Sequence, residues 1–215
     1  MNQRRPYRSP RRQQQAEETR VLVLDAAERL FKERGYAGTS MAAVADQAGV
    51  SPESVYGHFG TKRVLLGELF RRAVRGADPA PVPEQEVPRT LAAATDQREQ
   101  LGLFAADIAP RLERAAPLIT VLAAASQSDP ELAKLLTTLH ADRLSNLQVL
   151  VSALTTNGPL RLSEGEAVET VWALTSPELH QLLVRLRGWT RRRYEGWLAT
   201  SLAELLLPES GSSPS

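Results

Sequence analysis

The chain has 215 residues, 42% of them apolar and 24% charged, with aromatics at only 5% and no cysteine. That is enough apolar material for a buried core, and the preponderance of Ala and Leu favours helices over a sandwich of strands. Disulfides, thiolate metal sites and a cysteine nucleophile are excluded, no apolar run reaches the roughly 20 residues that span a bilayer, and Met1–Gln15 is basic and polar, unlike a secretory signal. The net charge of +1 hides an asymmetry. Residues 1–76 carry fourteen Lys and Arg against eight Asp and Glu; residues 77–215 carry twelve against seventeen. A basic first part joined to an acidic remainder implies that only the first part meets a polyanion.

In chain order, residues 1–18 read as a basic, disordered tail, rich in Arg and Gln and without an apolar stripe. Val23, Ala27, Leu30 and Phe31 then fall on one helical face, ending at Gly35. A second helix starts after Thr39 or Ser40, either a suitable cap, with Met41, Val44, Ala45 and Ala48 inward; Gly49 breaks it. Ser51 caps a short third helix with Pro52 at its first position and Val55 and Phe59 inward. A fourth opens near Lys62 and carries Val64, Leu65, Leu69 and Phe70. Residues 77–88 are a Pro-rich, acidic loop. Further helices are expected at roughly 89–109, 111–128, 130–156, 164–174, 177–187 and 191–207, with Pro110, Pro117, Pro130, Gly158–Pro159, Pro177 and Gly188 marking boundaries or kinks and 208–215 a disordered C-terminal tail. The fold class is all-α: an N-terminal three-helix domain over 19–64, followed by a larger antiparallel helical bundle over 65–207.

Two short helices separated by a tight glycine-containing turn, the first apolar inward and the second small and polar outward, form a helix-turn-helix over about 39–59. The run from Ala26 to Lys62 resembles the N-terminal domain of the TetR family of transcriptional regulators. The matching elements stand in order: Ala26-Ala27, Leu30-Phe31, Gly35-Tyr36, Thr39-Ser40, Val44-Ala45, Ala48-Gly49-Val50-Ser51, Val55-Tyr56, His58-Phe59 and Lys62. The segment 172–199 is also similar to the regulatory domain of an actinobacterial-type branch of that family. The resemblance implies that Thr39 or Ser40, Tyr56, His58 and Lys62 hold phosphates, and that Ser51, Pro52, Glu53, Ser54 and Gly57 face base edges. Gly57 departs from the larger, often aromatic residue usual in the family.

The same resemblance implies a cytoplasmic repressor that binds double-stranded DNA at a palindromic operator as a homodimer and is released by a small, apolar effector. Pocket residues are expected among Phe104, Ile108, Leu122, His140, Leu147, Trp172 and His180. The dimer seam is expected among Val171, Leu179, Leu183, Tyr194, Trp197, Leu198, Ser201, Leu202 and Leu205. The alternative is a helical dimeric interaction protein that has lost specific DNA binding. His140 and His180 lie on different expected helices with no ligand set around them, so no metal is expected. The absence of a nucleophile elbow, a phosphate loop or a framed carboxylate pair argues against an enzyme, and no cofactor is expected.

Overall fold

Helix α1 (Pro10–Arg34) buries Val23, Leu24, Ala26, Ala27, Leu30 and Phe31, the stripe that the 3.6-residue period predicts. The computed structural model describes residues 10–78 and 80–209. Within them α1 begins nine residues before Thr19, so residues 10–18 are helix rather than tail; Met1–Ser9 lie outside the described residues. Gln, Ala and Glu are good helix formers even on a fully solvated face, and Gln14 Nε2 donates to Glu18 Oε1 one turn on (3.0 Å). Helices α2 (Met41–Ala48), α3 (Pro52–Phe59) and α4 (Lys62–Arg75) follow. The chain divides into Met1–Leu69 and Phe70–Ser215, so the first unit ends inside α4, five residues beyond the expected boundary.

The second unit contains a 3-10 turn (Val82–Glu84), α5 (Glu86–Ala93), α6 (Gln97–Ser126), α7 (Pro130–Asn157), α8 (Glu164–Leu174), α9 (Pro177–His180, continued as a π-helical turn through Leu186) and α10 (Arg191–Leu206). No strand occurs among the described residues. From α6 onward the α-helices start at caps readable in the sequence: Asp96, Asp129, Ser163, Ser176 and Thr190 each accept a backbone N–H two or three residues on. Pro130 and Pro177 sit in first turns, as expected. Three expectations fail here. The Pro-rich loop gives way to α5 at Glu86, because Pro88 lies in a first turn where no N–H is missed. The helix expected over 89–109 is divided at residues 94–96, where Asp96 caps a new start. Pro110, expected to separate two helices, does not end α6, and Pro117 lies within the same helix. Each removes one intrahelical bond, but Ala109, Leu112, Ala115, Ala116 and Leu118 are all buried, and that packing outweighs a cost of about 3 kcal/mol per proline.

The C-terminal end of α4 is closed by side chains. A helix leaves its last four carbonyls without intrahelical donors. Here Gly76 N–H serves Arg72 O (2.8 Å), Arg114 Nε serves Ala73 O (2.8 Å), Arg111 Nη1 serves Val74 O (2.6 Å) and Gln85 Nε2 serves Arg75 O (3.0 Å). Arg111 is buried, and Asp107 accepts from its Nε (2.8 Å) and Nη2 (2.7 Å) while Gln85 Oε1 also accepts from Nη2 (2.7 Å). The cation is thus neutralised and its donors are matched, which is the condition for burying it. Arg111→Ala strands Asp107 and Val74 O together, and urea denaturation is expected to show a loss of about 3–5 kcal/mol; an unchanged midpoint would mean that water replaces the guanidinium at no cost.

Candidate nucleic-acid interface

The corner between α2 and α3 is built from backbone requirements. Ser40 Oγ accepts from Ala43 N–H (3.0 Å) to open α2. At the other end Gly49 takes φ 68° and ψ 33°, and Val50 N–H reaches back to Ala45 O (3.1 Å), closing the helix in a Schellman turn. An L-residue with a side chain pays about 1–2 kcal/mol for that left-handed conformation, so glycine is the residue that lets the chain reverse here. Ser51 then caps α3 by accepting from Ser54 N–H (3.2 Å), with Pro52 at the first helical position. Met41, Val44 and Ala45 of α2 and Val55 and Phe59 of α3 are buried, fixing the two helices to each other and to α1.

What remains outward on α3 is short and polar. Pro52, Glu53, Tyr56, Gly57 and His58 are exposed and Ser54 is partly so, with Tyr56 retaining 54% of its surface. The Ser51 and Ser54 hydroxyls lie 3.2 Å apart, one donating to the other. Glu53 is held below the usual carboxylate range by its own backbone N–H and by the Ser51 hydroxyl, so it stays ionised over the first turn of α3. That charge opposes a phosphate at this helix N-terminus and leaves the carboxylate as an acceptor for a base donor. A Cβ built on Gly57 meets no atom within 4 Å. Nothing inside the chain therefore requires glycine at this position, in the middle of a helix where it costs about 1 kcal/mol relative to Ala.

Two residues expected to hold phosphates are committed elsewhere. Thr39 is 1% exposed, and its hydroxyl donates to Gly35 O (2.9 Å). Lys62 Nζ donates to Tyr36 O and Thr39 O, both at 2.8 Å, and sits 4.1 Å from the centre of the Tyr36 ring, which itself stacks on Phe31. Burial lowers the Lys62 pKa. Together these two residues tie the α1–α2 turn to the start of α4. The spacing of a lysine after the reader helix does not reveal this, because a staple and a phosphate contact ask for the same residue. Ser40 stays exposed beside its capping bond, and His58 lies against Phe59 with the ring edge free.

In the second unit, Phe104, Ile108, Leu147 and Trp172 join one apolar cluster, while Leu122 is buried outside it. His140 packs against Trp172 and His180 against Tyr194 (5.9 and 4.8 Å between ring centres). Of the expected dimer residues, Val171, Tyr194, Leu198 and Leu202 are wholly buried in that same core and present nothing to a second chain. Leu179, Leu183, Trp197 and Ser201 are partly exposed and Leu205 is 47% exposed. Leu182 and Leu186, which stand in the same apolar pattern as Leu179 and Leu183 and belong to the seam it suggests, keep 50% and 72% of their surface. Sequence reasoning passed over Arg143, although an arginine four residues from Leu139 and from Leu147 stands in an apolar stripe and signals a buried charge.

Lys62→Met removes two hydrogen bonds and the ring contact while keeping the stem, and thermal unfolding is expected to show a loss of about 1–3 kcal/mol. Gly57→Ala is expected to add up to about 1 kcal/mol. A Lys62→Met protein as stable as the parent would remove the staple from the account.

Residues 23–69 match the model of the bacterial regulatory proteins of the tetR family. TtgR of Pseudomonas putida, an HTH-type transcriptional regulator, is 42% identical over 60 residues, 28% of this chain and 29% of TtgR. YezE of Bacillus subtilis, also an HTH-type regulator, is 31% identical over 114 residues, 53% of this chain and 58% of YezE. The chain therefore spans less than two thirds of the length of either relative. Among solved structures, NalD of Pseudomonas aeruginosa, the secondary repressor of the MexAB-OprM multidrug efflux pump, superposes with a TM-score of 0.67 at 22% identity, covering 90% of this chain and 99% of NalD. PfmR of Thermus thermophilus, a TetR family transcriptional regulator, superposes with a TM-score of 0.58 at 22% identity over 84% of this chain and 94% of PfmR. Residues 23–69 are thus similar to the N-terminal domain of tetR-family regulators, and the chain has an all-helical fold like that of these solved structures.

Proposed function

We propose that this protein is a cytoplasmic transcriptional repressor that reads a pseudo-palindromic operator as a homodimer and is released when a small molecule occupies its second unit. The observation that carries the reading is the outward face of α3: exposed, short, polar and held at a fixed angle by the Gly49 corner. A major groove admits a helix of this kind, and Glu53 accepting from cytosine N4 with Ser54 beside it supplies direct readout. Phosphate anchoring then falls to Ser40, Tyr56 and His58 rather than to Thr39 or Lys62. A glycine at position 57 lets the backbone of α3 approach the bases closely. The likeness of the run 172–199 supports a regulatory unit of the actinobacterial-type branch.

Two readers on a palindrome stand about 34–36 Å apart, which calls for a two-fold dimer. Leu182 and Leu186, together with Leu179, Leu183 and Leu205, are the apolar side chains available for such a seam. The element common to both units is α4, so an effector acts by favouring a position of that helix in which the reader spacing no longer fits.

Selection from random duplex DNA with the purified protein is expected to return an inverted repeat, and Glu53→Ala is expected to alter the base preference within each half-site. Recovery of no preferred sequence would favour an interaction protein over a regulator. Leu186→Glu is expected to halve the mass in analytical ultracentrifugation with helical content unchanged; a mutant that still sediments with the parent would put the seam elsewhere.

A further inference from the structure

Arg143 on α7 carries a guanidinium that its own unit satisfies only in part. Its Nη2 donates to the Trp172 carbonyl and to Thr175 Oγ1 (3.0 Å). The other three N–H groups, on Nε and Nη1, are sealed from solvent and have no acceptor. The cation lies over the Trp172 ring, 4.9 Å from its centre. No carboxylate pairs with it among the described residues: Glu178, whose charge it feels, sits on the exposed surface, and burial pushes the Arg143 pKa down to about 10. Next to it the Tyr194 ring packs edge-on against His180, which is 5% exposed and whose Nδ1 is likewise sealed and without a partner. Burial keeps that imidazole neutral at pH 7.

A buried cation with unused donors is among the most costly features a folded chain can hold. Buried polar groups in native proteins are nearly always paired, so orphans of this kind mark the place of a partner the chain does not itself supply. Three donors and no acceptor specify an anion, and the planar guanidinium favours a carboxylate. The surroundings are apolar and aromatic: Trp172, His140, Leu144, Leu147 and Val171. Trp172, His140 and Arg143 each keep some solvent contact, so the cluster reaches the surface of the unit.

We infer that Arg143, with His180 beside it, is an anion-recognition site that takes the carboxylate of a small organic acid whose apolar body lies against Trp172. The inference rests on the second unit being the effector domain, and it replaces the small apolar effector expected above with an amphipathic acid. The Arg143 guanidinium over one face of Trp172 repels a cationic ligand there.

The test is thermal unfolding of the full chain with acetate and phenylacetate at millimolar concentration, against phenylacetamide and choline at the same ionic strength. Both carboxylates are expected to raise the midpoint, phenylacetate more, by a few degrees; the amide and choline are expected to leave it unchanged. Arg143→Met is expected to abolish the response and, without ligand, to be at least as stable as the parent, since it removes an uncompensated buried charge. Arg143→Lys, keeping charge but not planarity, is expected to respond weakly. The site is overturned if neither carboxylate shifts the parent, if the shift survives in Arg143→Met, or if Arg143→Met is markedly less stable and the guanidinium is therefore a structural tie between α7 and α8. Binding to an operator selected beforehand separates the two readings. Carboxylates that stabilise the chain without releasing DNA leave the site standing and remove its role as effector; a chain that selects no operator but still shifts with carboxylates removes the repressor reading and keeps the site.

Discussion

The arrangement turns on how the two ends of α4 are satisfied. At its start, the Lys62 ammonium donates to two carbonyls of the α1–α2 turn and faces the Tyr36 ring. At its finish, Arg111, Arg114, Gln85 and Gly76 take up all four terminal carbonyls. Cations at a helix C-terminus also lie favourably in its dipole field. The first set of bonds lies within Met1–Leu69 and the second within Phe70–Ser215, while α4 itself is continuous. With all four of its last carbonyls bonded, the C-terminal end of α4 is held against fraying.

The corner between α2 and α3 was largely legible in the sequence. Ser40, Gly49, Ser51 and Pro52 announce their positions because capping and left-handed backbone are satisfied by very few residue types. The apolar stripe of α1 and the inward residues of α2 and α3 followed from period alone. The roles of Thr39 and Lys62 were not legible, since a hydroxyl or ammonium that binds a backbone carbonyl has the same spacing as one that waits for a phosphate. Residues 10–18 escaped for a related reason: periodicity detects a buried face, and the described side chains of this stretch, residue 11 and residues 13–18, are all exposed.

In the larger unit the helix starts at Pro130 and Pro177 were readable, whereas Pro110 and Pro117 lie inside one continuous helix. Proline stops a helix only where nothing else holds it, and α6 is packed along most of its length. The last helix shows the same limit. Tyr194, Leu198 and Leu202 form a stripe that suits either a seam between chains or a core within one, and only the packed structure shows that they face inward. Arg143 is the opposite case, a residue whose stripe position was visible in the sequence but whose meaning depends on the missing acceptor.

The central claim is that α3 is the surface that meets DNA. Hydrogen–deuterium exchange of the full chain, with and without mixed-sequence duplex at low salt, tests it before any operator has been identified, because non-specific binding uses the same face. New protection is expected to concentrate in peptides covering residues 40–59 and to be lost again as salt is raised. Protection that leaves those peptides unchanged and falls on the second unit would contradict it.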